Sequence, residues 1–333
     1  MKKCNSQTSI SSYDPEKIEL LESPRESKKS TASKEDKSSS LVRKLTEKIW
    51  DKRYKLISYD ELPEWAKDNE HIVGSYRPIL PSFFYCFSTI FRVHNETVNI
   101  WSHLLGFIMF VYAGWHYLLI PSQQFIDPFF EKATFILLFA GSTVCLGFSW
   151  TFHTMGCHSS NICCIFAKLD YSGIAIMIMS SCSPWIYYIF YCDTMWRQIY
   201  IGFMSFLGLL CVAMSQSETF AKPRFRSLRA TVFSVFGVSA IVPMTHGCFA
   251  YGFLYMFFDA KLSWLLLMGA FYLVGAFIYA NRIPEKWAPG KFDLWCNSHQ
   301  IFHVFVVTAA SICLYGLYQL QQQRRVFGNR CYF

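Results

Sequence analysis

Two histidines stand four residues apart in Ser298-His299-Gln300-Ile301-Phe302-His303, at the head of an apolar run that continues through Val304, Phe305, Val306 and Val307. On a helix that spacing puts both imidazoles on one face, one turn above the other. Ionisable groups in an apolar helix are costly unless paired, wetted or metal-bound. The pair therefore reads either as a metal-binding element or as packing histidines hydrogen-bonded to nearby backbone.

Two further stretches carry matching chemistry. Ser149-Trp150-Thr151-Phe152-His153 is again an i,i+4 polar pair, and Lys168-Leu169-Asp170-Tyr171-Ser172-Gly173 sets the carboxylate Asp170 just inside an apolar helix. Three imidazoles plus a water or carboxylate oxygen form the open tetrahedral set that suits catalytic zinc. Zinc there polarises a carbonyl and lowers the pKa of a bound water to about 7. Asp170 could orient that water or carry its proton, and Ser149 could hydrogen-bond a developing oxyanion. The competing readings are a structural zinc closed by Asp170, and a metal-free polar cluster that ties helices together. His103 is as shallow as the others but lacks an i,i+4 partner. His94, His116, His158 and His246 lie near ends, in connectors or near mid-span, so all five read as interfacial or packing residues.

The elements that must position these groups follow from composition. Of 333 residues, 53% are hydrophobic and only 16% charged, against roughly a quarter charged in a soluble domain. Seven apolar stretches, 98–120, 133–155, 168–189, 198–215, 230–257, 263–280 and 298–320, each approach the roughly 20 residues a spanning helix needs. The expected fold is an all-α membrane protein with seven transmembrane helices. Pro243 should bend the fifth of them, since it frees a backbone carbonyl that neighbouring helices must cover. Parity places the end of span two, the start of span three and the start of span seven on one membrane face, about 6–9 Å deep for His303 at about 1.5 Å per residue.

Charge orients the bundle. Lys168, Lys222, Arg224, Arg226, Arg229, Arg282, Lys286 and Lys291 fall in connectors on the N-terminal side, against Lys132, Arg197 and Lys261 opposite. The positive-inside tendency then makes the N-terminus cytoplasmic and the C-terminus extracellular, with Arg324, Arg325 and Arg330 in the tail as the dissenting charges. The net charge of +8 fits segments facing an anionic leaflet and gives no reason to expect nucleic acid.

Residues 1–55, rich in Ser, Lys and Glu, should be a disordered cytoplasmic segment, and no apolar signal peptide is visible there. Residues 56–97 read as a juxtamembrane region, with an amphipathic interfacial helix over Ser82–Val93. Residues 98–320 form the membrane domain and 321–333 an extracellular tail. The sequon Asn95-Glu96-Thr97, on the cytoplasmic side by this topology, should be unmodified. The 13 cysteines are scattered, which argues against a secreted disulfide framework. Cys157, Cys163 and Cys164 read as reduced thiols or palmitoylation sites.

At the motif residues the chain closely resembles the progestin and adipoQ receptor family, most of all its adiponectin-receptor branch. The resemblance rests on Asn95–His103, Ser149–His153, Leu169–Gly173, Ile283-Pro284-Glu285, Pro289–Asp293 and Ser298–His303, and it covers roughly residues 55–320. It implies a plasma-membrane receptor, with the Golgi as the alternative site. It also implies zinc held by His153, His299 and His303, with Asp170 near the metal through water, and zinc-dependent hydrolysis of ceramide linked to lipid and glucose metabolism. The partners to expect are membrane lipids, ceramide or a related lipid, an adiponectin-like extracellular ligand, cytosolic signalling adaptors and a homo-oligomer.

Overall fold

The computed structural model describes residues 55–122, 125–328 and 331; apart from Lys55, the segment 1–55 expected to be disordered lies outside them. Seven helices long and apolar enough to cross a membrane dominate: Thr97–Leu118, Pro128–Met155, Ser160–Ile189, Thr194–Ser215, Pro223–Tyr251, Leu262–Asn281 and Ser298–Val326. The seven-span, all-α expectation holds. The one β contact among the described residues is an isolated bridge between Ile57 and Tyr76.

Chain neighbours pack side by side, and the seventh span returns against the first and third, while the sixth also packs on the fifth. The core lies along the third span, where Trp185, Ile186 and Phe190 are fully buried. Outward faces stay apolar, with Leu105, Tyr112, Phe206, Phe249 and Phe277 exposed, as surfaces facing hydrocarbon should be. Small residues let the second and third spans close up. A Cβ on Gly173 would sit 2.9 Å from the Cα of Cys145, so any larger side chain there would part the backbones. That approach sets Asp170 beside Ser149.

The fifth span is broken rather than merely bent. Its helix stops at Val238 and restarts at Ile241. Pro243 has no N–H to continue the ladder, and its ring crowds the carbonyl of residue 239. His246, below the break, meets the Tyr200 hydroxyl at 2.9 Å and the Trp196 ring, so the packing role expected for it holds. The interfacial helix is shorter than predicted. It runs Phe83–Ser88 and passes into one 3-10 turn, Thr89–Phe91, yet it exposes Phe83, Phe84, Phe87 and Phe91.

The juxtamembrane segment is a fitted cap. Asp293 accepts hydrogen bonds from the backbone of Val73 and Gly74 at 3.0 and 2.8 Å, and Asp68 pairs with Arg226 at 3.0 Å. Asn95 is buried, and its carbonyl accepts from Gln300 at 3.0 Å. That burial is a reason for the sequon to stay bare. At the other end of the bundle, Cys192 and Cys331 form a disulfide, one link among the described residues rather than a framework.

Candidate metal centre

Each histidine-bearing helix end is fixed from outside its own span. The second span ends at Met155, leaving carbonyls without intrahelical partners. Arg77 of the juxtamembrane cap supplies the missing donors, reaching the carbonyls of His153 at 2.5 Å and Thr154 at 3.0 Å. Its charge also complements the negative end of that helix. The seventh span starts at Ser298, where the Asn297 side chain accepts from the Gln300 N–H at 3.1 Å. Glu285 accepts from the Ser298 N–H at 2.7 Å and from its hydroxyl. A carboxylate on a helix N-terminus is favourable, and here it sets the rotation of the helix that carries His299 and His303.

So held, His153, His299 and His303 converge. One ligand atom from each lies within 4.8 Å of the others. The rings meet edge-on or tilted, with centroids 4.9 Å apart for His153–His299, 4.7 Å for His153–His303 and 4.8 Å for His299–His303. His153 and His303 are buried, whereas His299 is half-buried.

Hydrogen bonding decides which nitrogens point inward. Nδ1 of His153 lies 2.8 Å from a carboxylate oxygen of Glu96, and a carboxylate only accepts. The proton is therefore on Nδ1. In the neutral ring that leaves the lone pair on Nε2, which is buried without a hydrogen-bond partner. Nδ1 of His303 likewise faces an acceptor, the carbonyl oxygen of Asn99 at 3.2 Å. Buried, unpartnered imidazole nitrogen in an all-nitrogen set of three is what a borderline-soft ion such as zinc fits.

Asp170 is buried, has the Ser149 side chain as its hydrogen-bond partner, and interacts electrostatically with His153. It is not among the three mutually close ligand residues. Ser149 has one hydroxyl proton to give and gives it to Asp170, so donation to an oxyanion would require the hydroxyl to turn.

The sequence reading missed the layer around the histidines. Glu96, Asn99 and His103 come from the mouth of the first span at i, i+3 and i+7, hence from one face. The Asn99 amide donates to Glu96 at 2.6 Å. His103, expected to be a packing residue, stacks on His303 at 3.7 Å between centroids with the planes 12° apart. His94 anchors the start of this span: its Nδ1 accepts from the Glu96 N–H at 3.1 Å and its Nε2 faces the Thr89 carbonyl at 3.1 Å. Burial, then the Arg77 charge, push the His94 imidazole down to about 3, so it is neutral. The periodic Glu-x2-Asn-x3-His pattern was the available signal.

Residues 91–315 match the model of the family described as Haemolysin-III related. The chain belongs to the haemolysin-III-related family. This haemolysin-III-related protein is 44% identical over 282 residues to the adiponectin receptor protein of Drosophila melanogaster, covering 85% of the chain and 63% of that relative. It is 44% identical over 273 residues to progestin and adipoQ receptor-like protein 1 of Caenorhabditis elegans, covering 82% and 62%. With the ADIPOR-like receptor IZH2 of Saccharomyces cerevisiae the identity is 35% over 305 residues, covering 90% and 93%. The chain thus spans about three-fifths of the length of the fly and nematode relatives. The resemblance to progestin and adipoQ receptors is borne out, and with the seven apolar helices it makes this an integral, multi-pass membrane protein of that family.

Proposed function

We propose that this haemolysin-III-related protein is an adiponectin-receptor-like membrane receptor. On this reading a three-histidine zinc site near its cytoplasmic face hydrolyses ceramide or a related lipid amide under the control of an extracellular, adiponectin-like stimulus. The product signal feeds lipid and glucose metabolism through cytosolic adaptors. The observation that carries the reading is the convergence of His153, His299 and His303 within 4.8 Å, with Nε2 of His153 buried and unpartnered.

Orientation has two supports. Lys and Arg concentrate in the connectors on the histidine side. The Cys192–Cys331 disulfide lies at the opposite end, and disulfides persist in oxidising, extracytoplasmic compartments. The histidine end then faces the cytoplasm, in the plasma membrane or, as the alternative, the Golgi.

His153, His299 and His303 would hold the zinc, which when bound supplies Lewis acidity to a water or a carbonyl oxygen. Hydrolysis places the water oxygen on the acyl carbon, breaks the carbon–nitrogen bond, and needs a proton on the departing amine. Asp170 is the group to carry that proton. Ser149 aims the Asp170 carboxylate, and the half-buried edge at His299 admits substrate.

The test measures zinc content of the purified full chain by elemental mass spectrometry and fatty-acid release from ceramide in wild type and Asp170→Asn. One zinc per chain in both, with release lost in Asp170→Asn, is the expected result. Zinc without release in wild type, with or without ligand, would replace hydrolysis by a second reading, a receptor or scaffold whose zinc only pins helices. That reading draws on the way the cluster ties the second and seventh spans to the first.

A further inference from the structure

Among the described residues, three polar side chains of the first span's mouth, Glu96, Asn99 and His103, turn toward the histidine cluster without belonging to it. Resting on the zinc reading above, we propose that Glu96 is the positioning residue of the centre: its carboxylate holds the His153 imidazole in the Nδ1-protonated form and aims Nε2 at the metal.

The geometry is a carboxylate–imidazole pair whose other ring nitrogen is buried without a hydrogen-bond partner. The Glu96 oxygen that meets His153 Nδ1 at 2.8 Å also accepts from the Asn99 amide at 2.6 Å. The carboxylate is thus fixed at the atom that matters. Its backbone is fixed as well, because the Glu96 N–H donates to Nδ1 of His94 at 3.1 Å. Glu96 immediately precedes the first span, Thr97–Leu118, where the helix dipole favours an anion. A negative charge behind the imidazole raises the basicity of the far nitrogen, and outer partners of this kind typically change metal affinity by about 10- to 100-fold. The carbonyl of Asn99 does the same for His303 with a neutral oxygen. The first span therefore orients two of the three ligand rings while contributing none of them.

Alternatives for Glu96 make different demands. A surface carboxylate would need neither the buried Asn99 partner nor the 2.8 Å contact to a buried imidazole. A direct ligand would have to stand on the side of Nε2, whereas Glu96 stands behind Nδ1.

The experiment compares wild type, Glu96→Gln and Glu96→Ala as full chains in detergent. Zinc affinity is read by chelator competition, the ligand field by the visible absorption of the cobalt-loaded protein, and folding by thermal unfolding of the metal-free forms. The expected result is about 10- to 100-fold weaker zinc binding in Glu96→Ala with an altered cobalt band. Glu96→Gln, which keeps an acceptor oxygen for Nδ1 but loses the charge, should recover part of the affinity and most of the cobalt band. Zinc affinity within about twofold of wild type in Glu96→Ala would overturn the proposal while leaving the zinc site intact. A lowered unfolding temperature with an unchanged cobalt band would overturn it too, assigning Glu96 to stability alone. Absence of zinc from wild type would instead reject the zinc reading, and this inference with it.

Discussion

The two ends of the bundle gather buried polar groups of different kinds: imidazoles at one, and an acid–amide–tyrosine network at the other. At the end carrying His153, His299 and His303, outer partners satisfy one side of the imidazoles of His153 and His303 and leave Nε2 of His153 buried and unpartnered. At the far end several polar groups close on one another, although the Tyr187 hydroxyl and Nε of Arg324 are buried there without partners. Glu131 is fully buried and accepts from Gln321 at 3.2 Å, Gln321 donates to the Tyr117 hydroxyl at 3.0 Å, and Gln323 donates to Asp259 at 3.0 Å. Arg324 lies 4.0 Å over the Tyr191 ring, beside the Cys192–Cys331 link. A satisfied network ties helices together, whereas an unsatisfied lone pair in a buried cluster is a demand for a ligand. What sets the histidine end apart is that three of its buried groups are metal-ligand types within 4.8 Å of one another.

The double variant His299→Ala/His303→Ala should break this contrast most severely. Elemental analysis should fall from one zinc per chain to none, while Cys192→Ser at the far end should leave zinc at one. Equal metal content in wild type and the histidine variant would mean that the ends do not differ in this way.

Arg77→Ala should have a smaller effect. It removes the donors to the carbonyls of His153 and Thr154 and to Thr89, and stranding buried acceptors costs about 1–3 kcal/mol. The expected signs are a lower thermal midpoint and weaker zinc retention together, because the cap sets the helix end that carries His153. A lower midpoint with zinc affinity unchanged would confine Arg77 to stability.

Glu131→Gln should do least. Gln keeps one acceptor oxygen, so it loses the charge and either the Gln321 contact at 3.2 Å or the long one from the Asp127 N–H at 3.4 Å, with about 1 kcal/mol of stability at stake. Zinc content should not move, and a change in it would show that the two ends are coupled.

Much of the fold was legible because membrane spans are specified by length and apolarity, which composition carries directly. His153, Asp170, His299 and His303 were legible as exceptions within those runs, and parity alone put them on one face. The break at residues 239–240 was less so, since Pro243 announces a disturbance but neighbouring helices decide its size. The hardest residue to read was Arg77. Nothing in its local sequence says that it will cap a helix whose last residues lie 76 and 77 positions away. Glu96 was hidden differently, inside a sequon whose backbone and asparagine turned out to be buried.

The sequence by itself determined that the chain has seven apolar helices and that four polar side chains share the shallow layer of one face, because hydrophobic length and helical spacing are local properties. Only the tertiary structure decided which nitrogen of His153 and of His303 points inward. That choice belongs to the atom behind each ring: a carboxylate 57 residues from His153 and a carbonyl 204 residues from His303. A hydrogen bond between groups so far apart in the chain exists only once the spans have packed.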